Sequence, residues 1–289
     1  MRVLKGHGTE NDFVVVPDLD GALDVSAALV RALCDRHAGI GGDGILRVVR
    51  TENAPEVKGL ARDAPFFMDY RNADGSVAEM CGNGVRVFLR YLQHARLVET
   101  SAAVATRGGI RRVLADGDGD VTVHMGRPLV LADRPVATVA PLGPRRAAVA
   151  VEMPNPHVVV WVDSAAELAS LELHRPPAVD PPLANGQNVE FVLRAGPRRL
   201  VMRVHERGVG ETRSCGTGIC AVAVAAAVDA GVGADGVPWR VDVPGGSCAV
   251  RWCPDGEVLM TGPAVLVAEI ELEDAWLAAV AGSSAAEKG

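Results

Sequence analysis

Lysine is nearly absent from this chain. Three residues, Lys5, Lys58 and Lys288, stand against 26 arginines among 289 positions. A pyridoxal phosphate enzyme needs a lysine to hold its cofactor as a Schiff base. Only Lys5 has a plausible setting, because Lys58 lies in a polar stretch and Lys288 in the tail. No Gly-Lys-Ser/Thr tripeptide occurs, which removes the P-loop nucleotide enzymes. Basic runs are also missing and the formal net charge is −7, so nucleic acid is not an expected partner. The most apolar stretch, 219–228, is 10 residues long, too short to span a bilayer. The opening MRVLKGHGTEND turns polar too early for a secretory signal. The expectation is a soluble, cytoplasmic protein without a membrane partner. With 48% hydrophobic and 22% charged residues it is globular, and 289 residues suggest about two domains.

Six cysteines are present, at 34, 81, 215, 220, 248 and 253. Without a secretory signal, a disulfide framework is not expected. The pairs Cys215/Cys220 and Cys248/Cys253 have a zinc-like spacing, but residues five apart leave a strand on opposite faces and a helix in different directions. The sequence therefore predicts no metal site.

Periodicity gives the same order of elements twice. The first half reads as a strand at 12–16, a helix at 26–37, strands near 45–50 and 66–71, and a helix opened by Cys81-Gly-Asn-Gly. A meander follows near 102–106, 110–115 and 120–125. The second half reads as a strand at 157–162, a helix at 164–172, strands near 188–194 and 199–206, and a helix opened by Cys215-Gly-Thr-Gly. Strands near 238–243, 247–252 and 257–261 close it. A last strand near 264–271 and a short polar tail remain. Asn11 and Asn155 occupy matching places before apolar strands, 70 and 60 residues ahead of the two cysteines. The predicted class is α/β (α+β): two similar halves, with a cleft between them as the expected small-molecule site. The boundaries are 1–126, with 264–289 returning to it, and 127–263, joined near the proline-rich stretch 127–144. The second Cys-Gly helix is apolar all round, which predicts sheet wrapped around it. The first carries Arg86 and Arg90 and is expected to be more one-sided.

A cysteine at a glycine-rich helix start sits where free N–H groups point outward, and the helix dipole there favours thiolate. From an ordinary value near 8.5, a modest downward shift makes a usable base at neutral pH. One such motif is ambiguous between nucleophile, redox thiol and plain turn residue. Two at equivalent places suit inversion of a carbon centre, one thiolate removing a proton from one face while the opposing thiol delivers one to the other. The helix-start N–H groups would stabilise the developing carbanion through the substrate carboxylate, so no cofactor is called for.

Other segments read more plainly. Gly39-Ile-Gly-Gly-Asp-Gly44 follows a helix and precedes a strand, the wrong order for a dinucleotide fingerprint, and reads as a helix stop and turn. Glu206 and Arg207 are adjacent and suit an ammonium and a carboxylate. Asn155 is fixed between two prolines. A lone histidine such as His157 is more often structural, and His205, His7, Cys34, Cys248 and Cys253 read as structural too.

The segments GTENDFVVV, GIGGDG, DYRNADGSVAEMCGNGVR, MPNPH, NVEFV and HERGVGETRSCGTG, in that order, resemble the diaminopimelate epimerase family along nearly the whole chain. The resemblance implies a cofactor- and metal-independent isomerase interconverting LL- and meso-2,6-diaminopimelate, on the path to lysine and peptidoglycan. It implies a cytoplasmic homodimer in which each half is a mixed, mostly antiparallel sheet curled around a central helix. By motif, Cys81 and Cys215 take the acid/base roles. Gly82, Asn83, Gly216 and Thr217 bind the reacting end of the substrate. Asn11, Asn72, Asn155, Asn188, Glu206 and Arg207 match the other substrate contacts, and His157 a histidine near the reacting centre. Gly44 stands where some members carry a glutamine contact. The nearest rival is the proline racemase and hydroxyproline epimerase family, which usually has histidine where Asn83 stands. A non-catalytic amino-acid-binding protein is the rival from another class, but binding alone does not need two thiols.

Overall fold

The chain starts on a tight hairpin. In the computed structural model, which describes residues 1–115, 117–143 and 145–286, β1 (Arg2–Gly8) pairs antiparallel with β2 (Asn11–Pro17). Thr9 and Glu10 turn between them at φ of +51° and +60°. Two successive positive φ values match the twist of the flanking strands, but they strain side chains other than glycine, a β-branched one most. Thr9 is nevertheless buried, its hydroxyl donating to the Gly8 carbonyl and accepting from the Arg86 guanidinium.

Two compact units share the chain. One comprises 1–123 with 263–289, the other 124–262. In the first, β2 leads through helix α1 (Ala27–Cys34) to β3 (Gly44–Arg50), parallel to β2. Ser26 caps α1, its hydroxyl accepting from the Leu29 N–H at 3.2 Å. The helix stops where Ile40, Gly41 and Gly42 turn their N–H groups back onto the carbonyls of Leu33 and Cys34, as the glycines of that segment predict. Next come β4 (Phe66–Asn72), antiparallel to β3, and helix α2 (Gly82–His94). β5 (Ser101–Thr106) is parallel to β4, and β6 (Gly109–Ala115) and β7 (Val121–Gly126) complete an antiparallel meander. The boundary between units falls inside β7.

The second unit repeats these pairings. A short β8 (Leu129–Val130) pairs with β10 (Arg146–Glu152), and β9 (Val136–Thr138) lies beside the start of β10. β10 pairs antiparallel with β11 (Pro156–Val162). Helix α3 (Ala165–Ser170) and β12 (Ala178–Asp180) lead to β13 (Asn188–Gly196), parallel to β11. β14 (Arg199–Glu206) returns antiparallel and carries the small β15 (Gly210–Thr212). Helix α4 (Gly216–Asp229) crosses over to β16 (Trp239–Val243), parallel to β14, and β17 (Gly246–Trp252) and β18 (Val258–Gly262) follow antiparallel. Finally β19 (Val265–Glu271) pairs with β1 and returns the chain to the first unit. The sequence of parallel and antiparallel neighbours is thus the same in both units, with two crossover helices in each.

The central helices are buried as the apolar run suggested for one and not as expected for the other. α4 is wrapped by sheet: Gly216 and every residue from Gly218 to Ala227 are buried. α2 is not one-sided, because every residue from Gly82 to Leu89 is buried and Arg86 has no exposed surface. Its guanidinium is accommodated by hydrogen bonds to the Thr9 hydroxyl and the Pro263 carbonyl, which makes a cation tolerable inside the unit. Other elements differ from the sequence reading, among them the short strands β8, β9, β12 and β15, none of which was expected. β1 and β10 were not expected as strands, and the polar tail is helix α5 (Asp274–Ala286), whose Trp276 packs on a core of Val14, Val30, Leu33 and Ile45. Cys248 lies in β17, whereas Cys253 falls just beyond that strand. Among the described residues no helix is long and apolar enough to cross a membrane.

The tight seat of α4 yields a test. Ala225 is fully buried, so Ala225→Leu forces extra methylenes into packed sheet and lowers stability by about 1–3 kcal/mol. Leu114→Thr on the exposed face of β6 stays within about 0.5 kcal/mol. Thermal and urea unfolding of the two variants measure the difference.

Candidate active-site residues

Each unit presents a cysteine at the N-cap of its central helix. In the first, Cys81 caps α2 in extended conformation, and its sulfur accepts the Gly84 N–H at 3.4 Å. The thiol lies 3.5 Å from Oδ1 of Asn11, which also accepts from Nδ2 of Asn83 at 3.2 Å. Asn11 is held from behind, since its Nδ2 donates to Asp43 at 2.7 Å. Arg36 bridges Asp43 and Asp12, each at 2.8 Å, and Lys5 meets Asp12 at 2.5 Å. Lys5, the lysine with the most plausible setting for a cofactor, is therefore committed to an ion pair and to the Gly41 carbonyl. Burial works against ionisation of Asp12, but Arg36 and Lys5 outweigh it and hold that carboxyl well below the usual range. Asp43 is pushed up, by burial and by the neighbouring Asp12 charge.

Asn72 ends β4 in the same unit. Its Oδ1 accepts from the Tyr70 hydroxyl and its Nδ2 donates to the Ser76 hydroxyl, both at 2.9 Å. Gly44 is glycine for a steric reason: a Cβ there would come within 2.4 Å of the Arg71 carbonyl oxygen and 2.9 Å of the Tyr70 ring. The Tyr70 side chain thus occupies the room a longer residue at 44 would need, while its hydroxyl orients Asn72.

In the second unit Cys215 caps α4 and is more deeply buried, at 5% exposure. Its sulfur lies 3.5 Å from the Thr217 hydroxyl, and the Glu206 carboxyl acts on it electrostatically. Glu206 also accepts from the Thr212 hydroxyl. The helix start was expected to lower this thiol's pKa, and the structure reverses that expectation. Burial raises it well above the ordinary value, and the negative charges of Glu206 and Glu190 add to the rise, against smaller help from Thr217 and the Gly218 N–H. Burial likewise raises Glu206. This pocket favours protonated groups.

Asn188, at the start of β13, links two neighbours: Nδ2 donates to the Pro156 carbonyl at 3.3 Å, and Oδ1 accepts the Arg207 N–H at 3.0 Å. Glu206 and Arg207 diverge, however. The Glu206 carboxyl turns in toward Cys215, whereas the exposed Arg207 guanidinium lies over the 185–186 turn and donates to the Asn185 carbonyl. Gly82 and Gly216 are the first residues of their helices, and both are buried. His157 has no exposed surface. Its Nδ1 is 2.6 Å from Oε1 of Glu190 and its Nε2 is 3.0 Å from Oδ1 of Asn155. Glu190 was missed by the sequence reading. The only signal was a carboxylate standing alone in the apolar strand NVEFV, which a solvent-facing residue would mimic.

Comparison with known proteins fits these two constellations. A family model described as diaminopimelate epimerase matches residues 3–131 and 149–267. The chain belongs to the diaminopimelate epimerase family. The diaminopimelate epimerase of Streptomyces coelicolor is 57% identical over 96% of this chain and 97% of its own length. That of Thermobifida fusca is 49% identical over 93% and 97%. Among solved structures, a probable proline racemase from Agrobacterium radiobacter gives a TM-score of 0.67 at 16% identity, covering 94% of this chain and 93% of that one. A phenazine biosynthesis protein of the PhzF family from Bacillus anthracis gives 0.64 at 15%, covering 94% and 99%. At such low identity these neighbours establish the fold alone: a two-domain, sheet-dominated α+β architecture that the epimerase family shares with the proline racemase type.

The raised Cys215 thiol sets a pH test. Below its pKa the thiolate fraction grows about tenfold per pH unit, so iodoacetamide should modify Cys215 slowly at neutral pH and progressively faster in alkali. Glu206→Gln removes a neighbouring negative charge, which favours thiolate and speeds modification at any given pH. Peptide mapping by mass spectrometry follows the site, and a rate independent of pH from 6 to 9 would contradict the assignment.

Proposed function

We propose that this chain is a cofactor-independent isomerase that interconverts LL- and meso-2,6-diaminopimelate by two-base proton transfer at the α-carbon. The observation that carries this reading is the pair of N-cap cysteines at the same point of two repeated units, in a chain 57% identical to a diaminopimelate epimerase over nearly its whole length. Cys81 and Cys215 act on opposite faces of one carbon: one sulfur takes the proton, the other returns a proton from the other side. Cys215, deeply buried beside two carboxyl groups, rests as the thiol and is the proton donor in the direction that begins with it protonated. Glu206, whose carboxyl interacts with that thiol, is the group that exchanges its proton in this scheme.

The carbanion formed at the α-carbon needs its charge spread into the carboxylate. The backbone N–H groups of the first turns, at Gly82 and Asn83 on α2 and at Gly216 and Thr217 on α4, are suited to receive it. Asn11, Asn72, Asn155, Asn188 and Arg207 supply the remaining polar contacts, Arg207 to a carboxylate, and His157 stands behind Asn155. Lysine and peptidoglycan precursor synthesis in the cytoplasm, by a homodimer, is the setting that fits this activity.

Turnover in deuterated water should place solvent deuterium at the α-carbon, read by mass spectrometry or loss of the proton resonance; epimerised product without deuterium would exclude proton transfer. Cys81→Ala and Cys215→Ala should each lower kcat/KM for LL-diaminopimelate by at least about 10²-fold while keeping the circular dichroism of the parent. Arg207→Ala should cost about 10- to 100-fold in kcat/KM, the worth of a charge-assisted contact, with proline and hydroxyproline as control substrates.

A further inference from the structure

The buried carboxylate of Glu190 enters the scheme above only through its charge near Cys215, and its position is costly. It lies in mid-sheet on β13, paired across to Val159 and Val204, with no exposed surface. Oε1 meets Nδ1 of His157, but Oε2 makes no hydrogen bond among the described residues. An ionisable group in such a place, with one oxygen unmet, lowers stability relative to an amide or an apolar residue of the same size. The helix in front of it yields room: Gly218, in the first turn of α4, has no Cβ, and one there would stand 2.6 Å from Oε1.

We propose that Glu190 is a positioning residue for substrate binding, acting through His157 to fix the amide of Asn155 with its NH₂ group free to donate to a substrate carboxylate. The inference rests on the epimerase reading of the site. With Nδ1–H of His157 donating to Glu190, the imidazole is held in one orientation and presents Nε2 to Asn155. With both ring nitrogens protonated opposite the Glu190 carboxylate, His157 also donates its Nε2–H to Oδ1 of Asn155 at 3.0 Å, which leaves Nδ2 of Asn155, without a partner among the described residues, as the outward end. The equivalent asparagine of the first unit is held the other way round. Nδ2 of Asn11 is bound by Asp43 and its Oδ1 faces Cys81. A carboxylate behind each asparagine thus makes one an acceptor and the other a donor, an asymmetry that suits a substrate carrying both an ammonium and a carboxylate.

A double-mutant cycle tests the relay. Glu190→Gln should raise KM for diaminopimelate about tenfold or more with a smaller change in kcat, because what is lost is the orientation of a binding donor. Introduced into Asn155→Ala, the same change should leave KM where Asn155→Ala alone puts it. Thermal unfolding should show Glu190→Gln no less stable than the parent. A purely structural role predicts the opposite pattern: lower Tm, a lower active fraction seen as reduced kcat, and unchanged KM. That pattern, or an equal rise in KM in both backgrounds, overturns the proposal. Proton NMR of the unaltered enzyme with ¹⁵N-labelled histidine supplies a readout independent of substrate and of variant folding. A downfield Nδ1–H resonance, assigned to His157 by its loss in His157→Asn, is expected, and its absence refutes the hydrogen bond. If the parent enzyme failed to epimerise diaminopimelate while that resonance was present, the epimerase reading would fall and the Glu190–His157 contact would stand.

Discussion

The placement of both sulfurs depends on burial of the two central helices. Each helix is enclosed by a sheet that twice crosses over in parallel and otherwise turns back on itself. The N-cap position therefore cannot shift without disturbing a packed interior. In α4 that interior is a run of Ile, Val and Ala with no polar face. Burial of a Val or Ile side chain is worth roughly 1.5–3 kcal/mol, so several such residues hold the helix in register. In α2 the same rigidity is reached with a guanidinium inside, bonded to the turn that launches β2 and to the carbonyl that precedes β19. Rigid helices give the thiols fixed positions within their own units.

The two cysteines are chemically unlike although their backbones repeat. Cys81 is half-buried, with an amide oxygen and a backbone N–H at hydrogen-bond distance and its neighbouring charges assembled into ion pairs one step removed. Cys215 is enclosed beside two carboxyl groups that oppose its ionisation. A reversible epimerase has to give and take a proton, and the duplicated scaffold supplies one N-cap cysteine in each unit. The differences between the copies show at Cys215, where burial, helped by the two carboxylates, favours the thiol in spite of the helix dipole that both copies share.

Much of the repeat was legible in the sequence, since strands and helices of matching type recur in order and the two Cys-Gly-x-Gly segments mark the same point. The complete burial of α4 was legible for the same reason: no polar stripe interrupts its apolar residues. The burial of α2 was not, because periodicity treats Arg86 as a surface charge and its partners Thr9 and Pro263 lie far away in the chain. Glu190 escaped notice in the same way, its meaning resting on His157 in a neighbouring strand. The state of Cys215 was misjudged because the helix start is a local signal, whereas the burial that overrides it, and the carboxylates on β13 and β14 that add to it, come from the tertiary fold. Helix α5 was hidden by a stretch rich in Ala, Gly and Ser that lacks an obvious polar face.

The insertion of one unit within the other has a consequence for the nascent chain. β1 leaves the ribosome well before its edge partner β19, which follows only after all of 124–262 has been made. Throughout that interval the first unit has an open edge on β1 and lacks the Pro263 carbonyl that receives the Arg86 guanidinium. The second unit is contiguous and can close on itself meanwhile, so translation completes the later half of the molecule before the earlier one.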